Sequence, residues 1–124
     1  MNVIIKDELL SSLLAFAKMK HPKEGIILLR GNIGDGEISI KEFLLPPFAT
    51  SGRGFASFPL HKLPIDFSIM GTAHSHPSGS LRPSTTDLNR FYGRIMVIVA
   101  YPYILSQVAV YNSKGEKLSL IIES

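Results

Sequence analysis

The chain has no cysteine. That excludes a disulfide framework, a thiolate zinc finger and a cysteine nucleophile, and it leaves histidine and carboxylate as the side chains able to hold a metal. Long hydrophobic runs are missing too. The longest, Ile95 to Leu105, falls short of the roughly 18 residues a membrane span needs and is interrupted by Pro102. A shorter run, Leu9 to Ala17, follows Asp7 and Glu8 where a signal peptide would carry basic residues, and no small-residue cleavage site comes after it. The expectation is a cytoplasmic protein with no membrane segment. Charge is sparse: 19% of residues are charged, and the 13 Lys and Arg are scattered from Lys6 to Lys117 without a cluster or interleaved aromatics. A net charge of +3 spread in that way offers no stripe to track a phosphate backbone, so no nucleic-acid partner is expected.

Core-forming material is plentiful. With 124 residues, 45% of them hydrophobic, the chain suits one domain over residues 1–124 and lies far from disordered composition. Ten Gly and eight Pro punctuate it, which points to many short elements and a mixed α/β class. Leu9, Leu10, Leu13, Leu14, Phe16 and Ala17 recur at helical spacing behind Asp7. They predict an amphipathic helix over 7–20, N-capped by Asp7, stopped at His21-Pro22 and laid on a sheet. The apolar run 25–29, a turn over 31–36 and the alternating 37–45 predict a hairpin. The stretch from Ala49 to Pro59, with Gly52, Arg53 and Gly54 before Phe55 and Phe58, suits a mobile loop leading into a short edge strand. Strands are expected at 68–76 and 95–101, a strand-turn-strand hairpin at 107–122, and a helix opened by the cap Ser84-x-x-Asp87 and reaching about Tyr92.

The chemistry concentrates around one strand. His74 and His76 of His74-Ser75-His76 project from the same strand face with Cα atoms about 6.6 Å apart, close enough to share an ion. Two polar side chains near a strand end would account for the pair equally well, so a third ligand is needed. Asp87 stands in the first turn of a helix one loop later, and two histidines with one carboxylate leave a tetrahedral position open, the pattern of a catalytic zinc. Ser84 and Asp87 by themselves read as a plain helix cap. An open site also needs a proton acceptor. Glu24, between the first helix and the strand beginning at Gly25, would stand beside the metal if that strand adjoins the histidine strand; a solvated loop glutamate is the alternative.

Together, Glu24, His74-Ser75-His76-Pro77, Ser84 and Asp87 resemble the signature of the JAMM (MPN+) metalloproteases: an upstream Glu, then His-x-His-Pro, six residues, Ser, two residues, Asp. Given the histidine pair, a Ser and an Asp at both places coincide by chance in well under about 1% of sequences at average residue usage. The likeness covers the whole chain, with length and element order like the minimal prokaryotic and archaeal members and Gly71-Thr72-Ala73 leading into the histidines. It implies the MPN/JAB fold, a mixed β-sheet flanked by helices and similar to cytidine deaminase. It also implies one Zn2+ per chain, bound with a water by His74, His76 and Asp87. Glu24 would then be general base and later acid, and Ser84 would donate a hydrogen bond to the oxyanion. The implied activity is hydrolysis of isopeptide or peptide bonds after the C-terminal Gly-Gly of a ubiquitin-like modifier, its conjugates, or a sulfur-carrier protein. In similar members an insertion corresponding to 52–58 lies beside the active site, so Gly54, Phe55, Ala56 and Phe58 are the expected substrate-binding residues, with the Gly-Gly tail added as a strand. The longer insertions with which lysine-linkage-specific members grip two ubiquitins are missing here, and a homodimer is left open.

Three other readings meet specific features. A zinc deaminase needs His-x-Glu and Pro-Cys-x-x-Cys, which a cysteine-free chain cannot supply. Ser78-Gly79 and Pro83 also resemble RadC-like proteins, long associated with DNA repair, but those usually carry an added helical DNA-binding segment. A non-catalytic MPN scaffold typically loses the metal ligands that this chain keeps. His21 and His61 have no partner at ligand spacing and are expected to be ordinary surface or half-buried residues.

Overall fold

The amphipathic segment forms helix α1 (Asp7–Lys20), as its periodicity predicts. Asp7 does not cap it. A strand, β1 (Asn2–Lys6), runs straight into the helix, so Lys6 occupies the N-cap without a side-chain bond. Asp7 and Glu8 fall instead in the first turn, where carboxylates meet the positive end of the helix dipole. The computed structural model describes residues 1–46, 50–52, 55–57 and 66–124.

Seven strands make the main sheet: β1, then β2 (Ile26–Gly34), β3 (Glu37–Leu44), β6 (Ile69–His76), β7 (Ile95–Ala100), β8 (Val108–Tyr111) and β9 (Lys117–Glu123). Two further strands among the described residues, β4 (Thr50–Gly52) and β5 (Phe55–Ser57), pair antiparallel in a small sheet of their own. The expected mixed sheet is present, and it goes further than expected by closing on itself in the order β1-β3-β2-β6-β7-β8-β9. Closure comes from β1, which lies parallel to β3 on one side and to β9 on the other.

The β2–β3 hairpin turns later than its glycines suggest. Strand β2 continues through a bulge at Arg30/Gly31 to Gly34, and the turn is the two residues Asp35 and Gly36, both at positive φ. Gly31 is therefore a close-approach glycine: a Cβ there would lie 1.9 Å from the carbonyl oxygen of Ser39.

Alternation along the strands divides the buried side chains between two faces. Val3, Ile5, Ile27, Leu29, Ile38, Ile40, Val97 and Val99 pack with Leu10, Leu13, Leu14 and Ala17 of α1 in one cluster. At roughly 1.5–3 kcal/mol per buried aliphatic side chain, this cluster is the main source of stability. Met96 and Ile98 point the other way and meet Ala109, Tyr111, Leu81 and Phe91. Strand β7 is thus covered on both faces, which is why its apolar run is unbroken.

Strand β6 lies between β2, antiparallel, and β7, parallel. Ala73 joins the α1 cluster, so His74 and His76 take the opposite face, beside the second cluster and helix α2 (Thr85–Asn89). That helix stops short of Tyr92 because Phe91 has to turn inward over Met96 and Ile98. Among the described residues no helix is long and apolar enough to cross a membrane.

Gly31→Ala is expected to cost about 1–3 kcal/mol, since the new methyl meets backbone that can yield only by shifting β3. Gly34→Ala, with nothing within 4 Å of the added Cβ, should leave stability nearly unchanged. Chemical denaturation of the two variants checks this. Equal midpoints would show that the bulge absorbs the methyl.

Candidate metal centre

His74 and His76 are both buried, at 5% and 8% exposure, on the β6 face that the period-two argument assigns them. Each ring is anchored on the side away from Asp87. His74 Nε2 bonds Thr72 Oγ1 at 3.1 Å, and His76 Nδ1 donates to the carbonyl oxygen of Ser80 at 2.9 Å. A carbonyl only accepts, so the proton on Nδ1 leaves His76 Nε2 to face Asp87. This is the outer-shell anchoring that orients ligating histidines.

Asp87 arrives from the other direction. Ser84 is the N-cap of α2, and the predicted capping box is formed: Ser84 Oγ accepts from the Asp87 N–H at 3.0 Å, and Asp87 Oδ2 accepts from the Ser84 N–H at 2.9 Å. The cap and the site therefore use the same carboxylate, whose Oδ2 also lies 3.1 Å from His76 Nε2 while Oδ1 is 3.8 Å from His74 Nδ1.

Glu24 is 8% exposed, not a solvated loop side chain. Its backbone is held on two sides. The Glu24 N–H donates to the Gly52 carbonyl of β4 at 2.8 Å, and the next residue, Gly25, exchanges two bonds with Ser75: the Gly25 N–H donates to Ser75 Oγ at 2.7 Å and the Ser75 N–H donates to the Gly25 carbonyl at 3.0 Å. Glu24, His76, Asp87 and Ser84 then line one cavity of about 790 Å³.

Burial governs the electrostatics. It raises the Glu24 pKa above the usual carboxylate value, with neighbouring Asp87 adding to the rise and His76 opposing it. Burial lowers His74 to about 4, which keeps its imidazole neutral. For His76, burial is the largest single influence and disfavours the charged ring, but the hydrogen bond and charge of Asp87, the Ser80 carbonyl and the charge of Glu24 together outweigh it and raise the pKa. For Asp87, burial pushes upward and is overcome by the hydrogen bonds from His76 and the Ser84 N–H together with the charges of the two histidines, which bring it to about 2.

The donor set suits a metal in kind. His74 Nδ1 is buried without a hydrogen-bond partner and is directed at Asp87, an arrangement that is costly unless something else fills the role. Two ligands about 2.0–2.1 Å from a tetrahedral zinc lie roughly 3.4 Å apart; the spacings of 3.1 and 3.8 Å fall on either side of that. As the side chains stand, Asp87 bonds His76 directly, and no three of His, Cys, Asp or Glu among the described residues surround a common point as ligands.

A model described as prokaryotic homologs of the JAB domain matches residues 6–116. The chain belongs to this family. A curated relative, a probable metalloprotease of Haloferax volcanii, is 36% identical over 104 residues, covering 77% of this chain and 64% of the relative's own length. A solved structure described as JAMM, a metalloprotease-like zinc site in the proteasome and signalosome, is 34% identical over the whole of both chains, with a TM-score of 0.73. A JAB1/MPN domain protein of Archaeoglobus fulgidus is 37% identical over 97% of this chain and 98% of that one, also at 0.73. The expected minimal prokaryotic JAMM/MPN+ family and the JAB/MPN fold are both borne out, and the family is one of metalloprotease-like zinc sites.

Of the expected substrate-binding positions, Phe55 and Ala56 lie in β5, while Gly54 and Phe58 lie outside the described residues, as does His61. His21 is exposed as expected but is not idle. It lines the cavity, its Nδ1 lies 2.8 Å from Tyr103 Oη, and its ring stacks on Tyr101. Sequence reasoning also missed Thr72 and Ser75. Thr72 could have been found, being two residues before His74 on the same strand face; nothing in the sequence pairs Ser75 with Gly25.

Ser75→Ala should leave the buried Gly25 N–H without an acceptor and cost about 1–3 kcal/mol in denaturant unfolding. Wild-type stability in that variant would mean that another group takes the Gly25 N–H.

Proposed function

We propose that the chain is a zinc-dependent peptidase that hydrolyses the bond after the C-terminal Gly-Gly of a ubiquitin-like modifier or a sulfur-carrier protein. The observation that carries this reading is the buried, unpartnered His74 Nδ1 facing Asp87 in a site that also holds His76 and a buried Glu24. His74, His76 and Asp87 would hold one zinc. When bound, the ion supplies Lewis-acid polarisation of the scissile carbonyl and a water of lowered pKa.

Each remaining role belongs to a side chain of the protein. Glu24, with its pKa raised by burial, takes a proton and returns it to the leaving amine. Ser84 Oγ accepts from the Asp87 N–H, which leaves its own O–H free to donate to the oxyanion of the tetrahedral intermediate, a contact worth roughly 2.7–4 kcal/mol in other hydrolases. An extended Gly-Gly tail is naturally held as an added strand. Among the described residues β5 pairs with β4 alone, and β4 is bonded through the Gly52 carbonyl to Glu24, so an edge beside the acid-base residue supports β5 as the docking strand.

Elemental analysis is expected to find about one zinc per wild-type chain and much less in His76→Ala; full retention would refute the ligand set. Glu24→Gln and Ser84→Ala should keep the metal and lose most cleavage of a Gly-Gly fusion, measured by mass. Wild-type turnover in Glu24→Gln would refute its acid-base role. Ala56→Pro should raise the KM for that fusion with zinc content unchanged, because it removes a backbone donor from β5. Unaltered kinetics there would reject β5 as the docking edge.

A further inference from the structure

The cavity that contains Glu24, His76 and Asp87 is also bounded by two arginines, Arg82 and Arg90. They flank the capping box. Arg82 precedes Ser84 by two residues in the loop after β6, and Arg90 is the C-cap of α2. Both are exposed, and among the described residues neither has an ion-pair partner. Arg30, by contrast, is paired with both Glu42 and Asp66. The acidic groups that share the cavity are not available to the arginines: Asp87 is held by His76 and the Ser84 N–H, and Glu24 is almost wholly buried. Two guanidinium groups balance those two carboxylates in number, so a divalent ion in the site would leave the lining with a positive surplus. Guanidinium forks match a carboxylate in shape and bind it by charge-assisted hydrogen bonds.

From this lining we infer that Arg82 and Arg90 are specificity-determining residues that read a free carboxylate on the leaving group. The inference rests on the peptidase reading above and narrows it. The substrate class is a Gly-Gly chain followed by one or a few C-terminal residues, not a lysine side-chain conjugate, whose leaving amine has no carboxylate of its own within a few bonds. In the reaction the C–N bond after the second glycine breaks. The hydroxyl of water goes to the glycine carbonyl, a proton goes to the amine, and the amino acid or short peptide leaves with its carboxylate still held by the arginines.

The test compares Gly-Gly-Ala-Ala bearing a free C-terminus with its C-terminal amide. On the zinc-loaded wild type the acid should be cleaved with a kcat/KM roughly ten- to a hundred-fold above that of the amide, the ratio expected of a charge-assisted contact. On zinc-loaded Glu24→Gln, which should bind without cleaving, calorimetry should give the same ordering of Kd. Adding Arg82→Gln and Arg90→Gln should bring both ratios close to one with zinc content unchanged. Equal Kd for acid and amide, or a preference that survives the double arginine change, would overturn the inference. Should the wild type cleave neither peptide, the peptidase reading fails, and the Kd ratio still decides the role of the arginines. A single-stranded oligonucleotide that binds only when both arginines are present, with acid and amide bound alike, would overturn it in favour of a phosphate ligand.

Discussion

A strand buried on both faces has to satisfy every polar group it carries, and β6 carries four within five residues: Thr72, His74, Ser75 and His76, all buried. Leaving such groups unpaired costs on the order of 1–3 kcal/mol each, so their partners dictate the surroundings. Ser75 is answered by the backbone of Gly25, which fixes the residue next to Glu24. His76 is answered by Ser80 on one side and Asp87 on the other, which fixes the loop and the start of α2. Thr72 answers one nitrogen of His74, and the other nitrogen has no protein partner. The alternation of a single strand thus sends Ser75 toward Gly25, the neighbour of Glu24, and both histidines toward Asp87.

Helix α2 shows how closely the fold and the site are tied. It has five residues and buries none of them fully. A helix that short has no stability of its own. What holds it is the reciprocal cap between Ser84 and Asp87, the contact of Asp87 with His76, and the anchoring of Leu81 and Phe91 on Met96, Ile98 and Tyr111, whose hydroxyl donates to the Leu81 carbonyl. The carboxylate that caps the helix is the one that faces the histidines, so helix position and site geometry cannot vary independently.

The features legible in the sequence were those whose determinants lie close together along the chain. The periodicity of Leu10, Leu13, Leu14 and Ala17 marks α1, the unbroken run from Ile95 marks β7, the spacing of His74 and His76 puts them on one face, and Ser84 three residues before Asp87 marks the cap. Strand β1 is not legible, because Asn2-Val3-Ile4-Ile5-Lys6 holds a run of only three apolar residues without alternation, too little signal next to a long helix. Gly31 reads in the sequence as part of a turn, but the turn lies at Asp35 and Gly36. The function of Gly31 is the close approach of the Ser39 carbonyl, and no neighbour in sequence announces that contact.

By itself the sequence determined the inventory: a cysteine-free, single-domain α/β chain with two histidines two apart, a capped carboxylate and an upstream glutamate in the order of the JAMM signature. Those are statements about spacing along a chain, and strand and helix periods convert spacing into facing. The tertiary structure decided what faces what across the chain. It closed the sheet through β1, set Glu24 against β4 and Gly25 against Ser75, brought His21 onto Tyr103, and turned Arg82 and Arg90 toward the same cavity as Asp87. These pairings join residues tens of positions apart, where packing and the need to satisfy buried polar groups act together and no local period can carry the information.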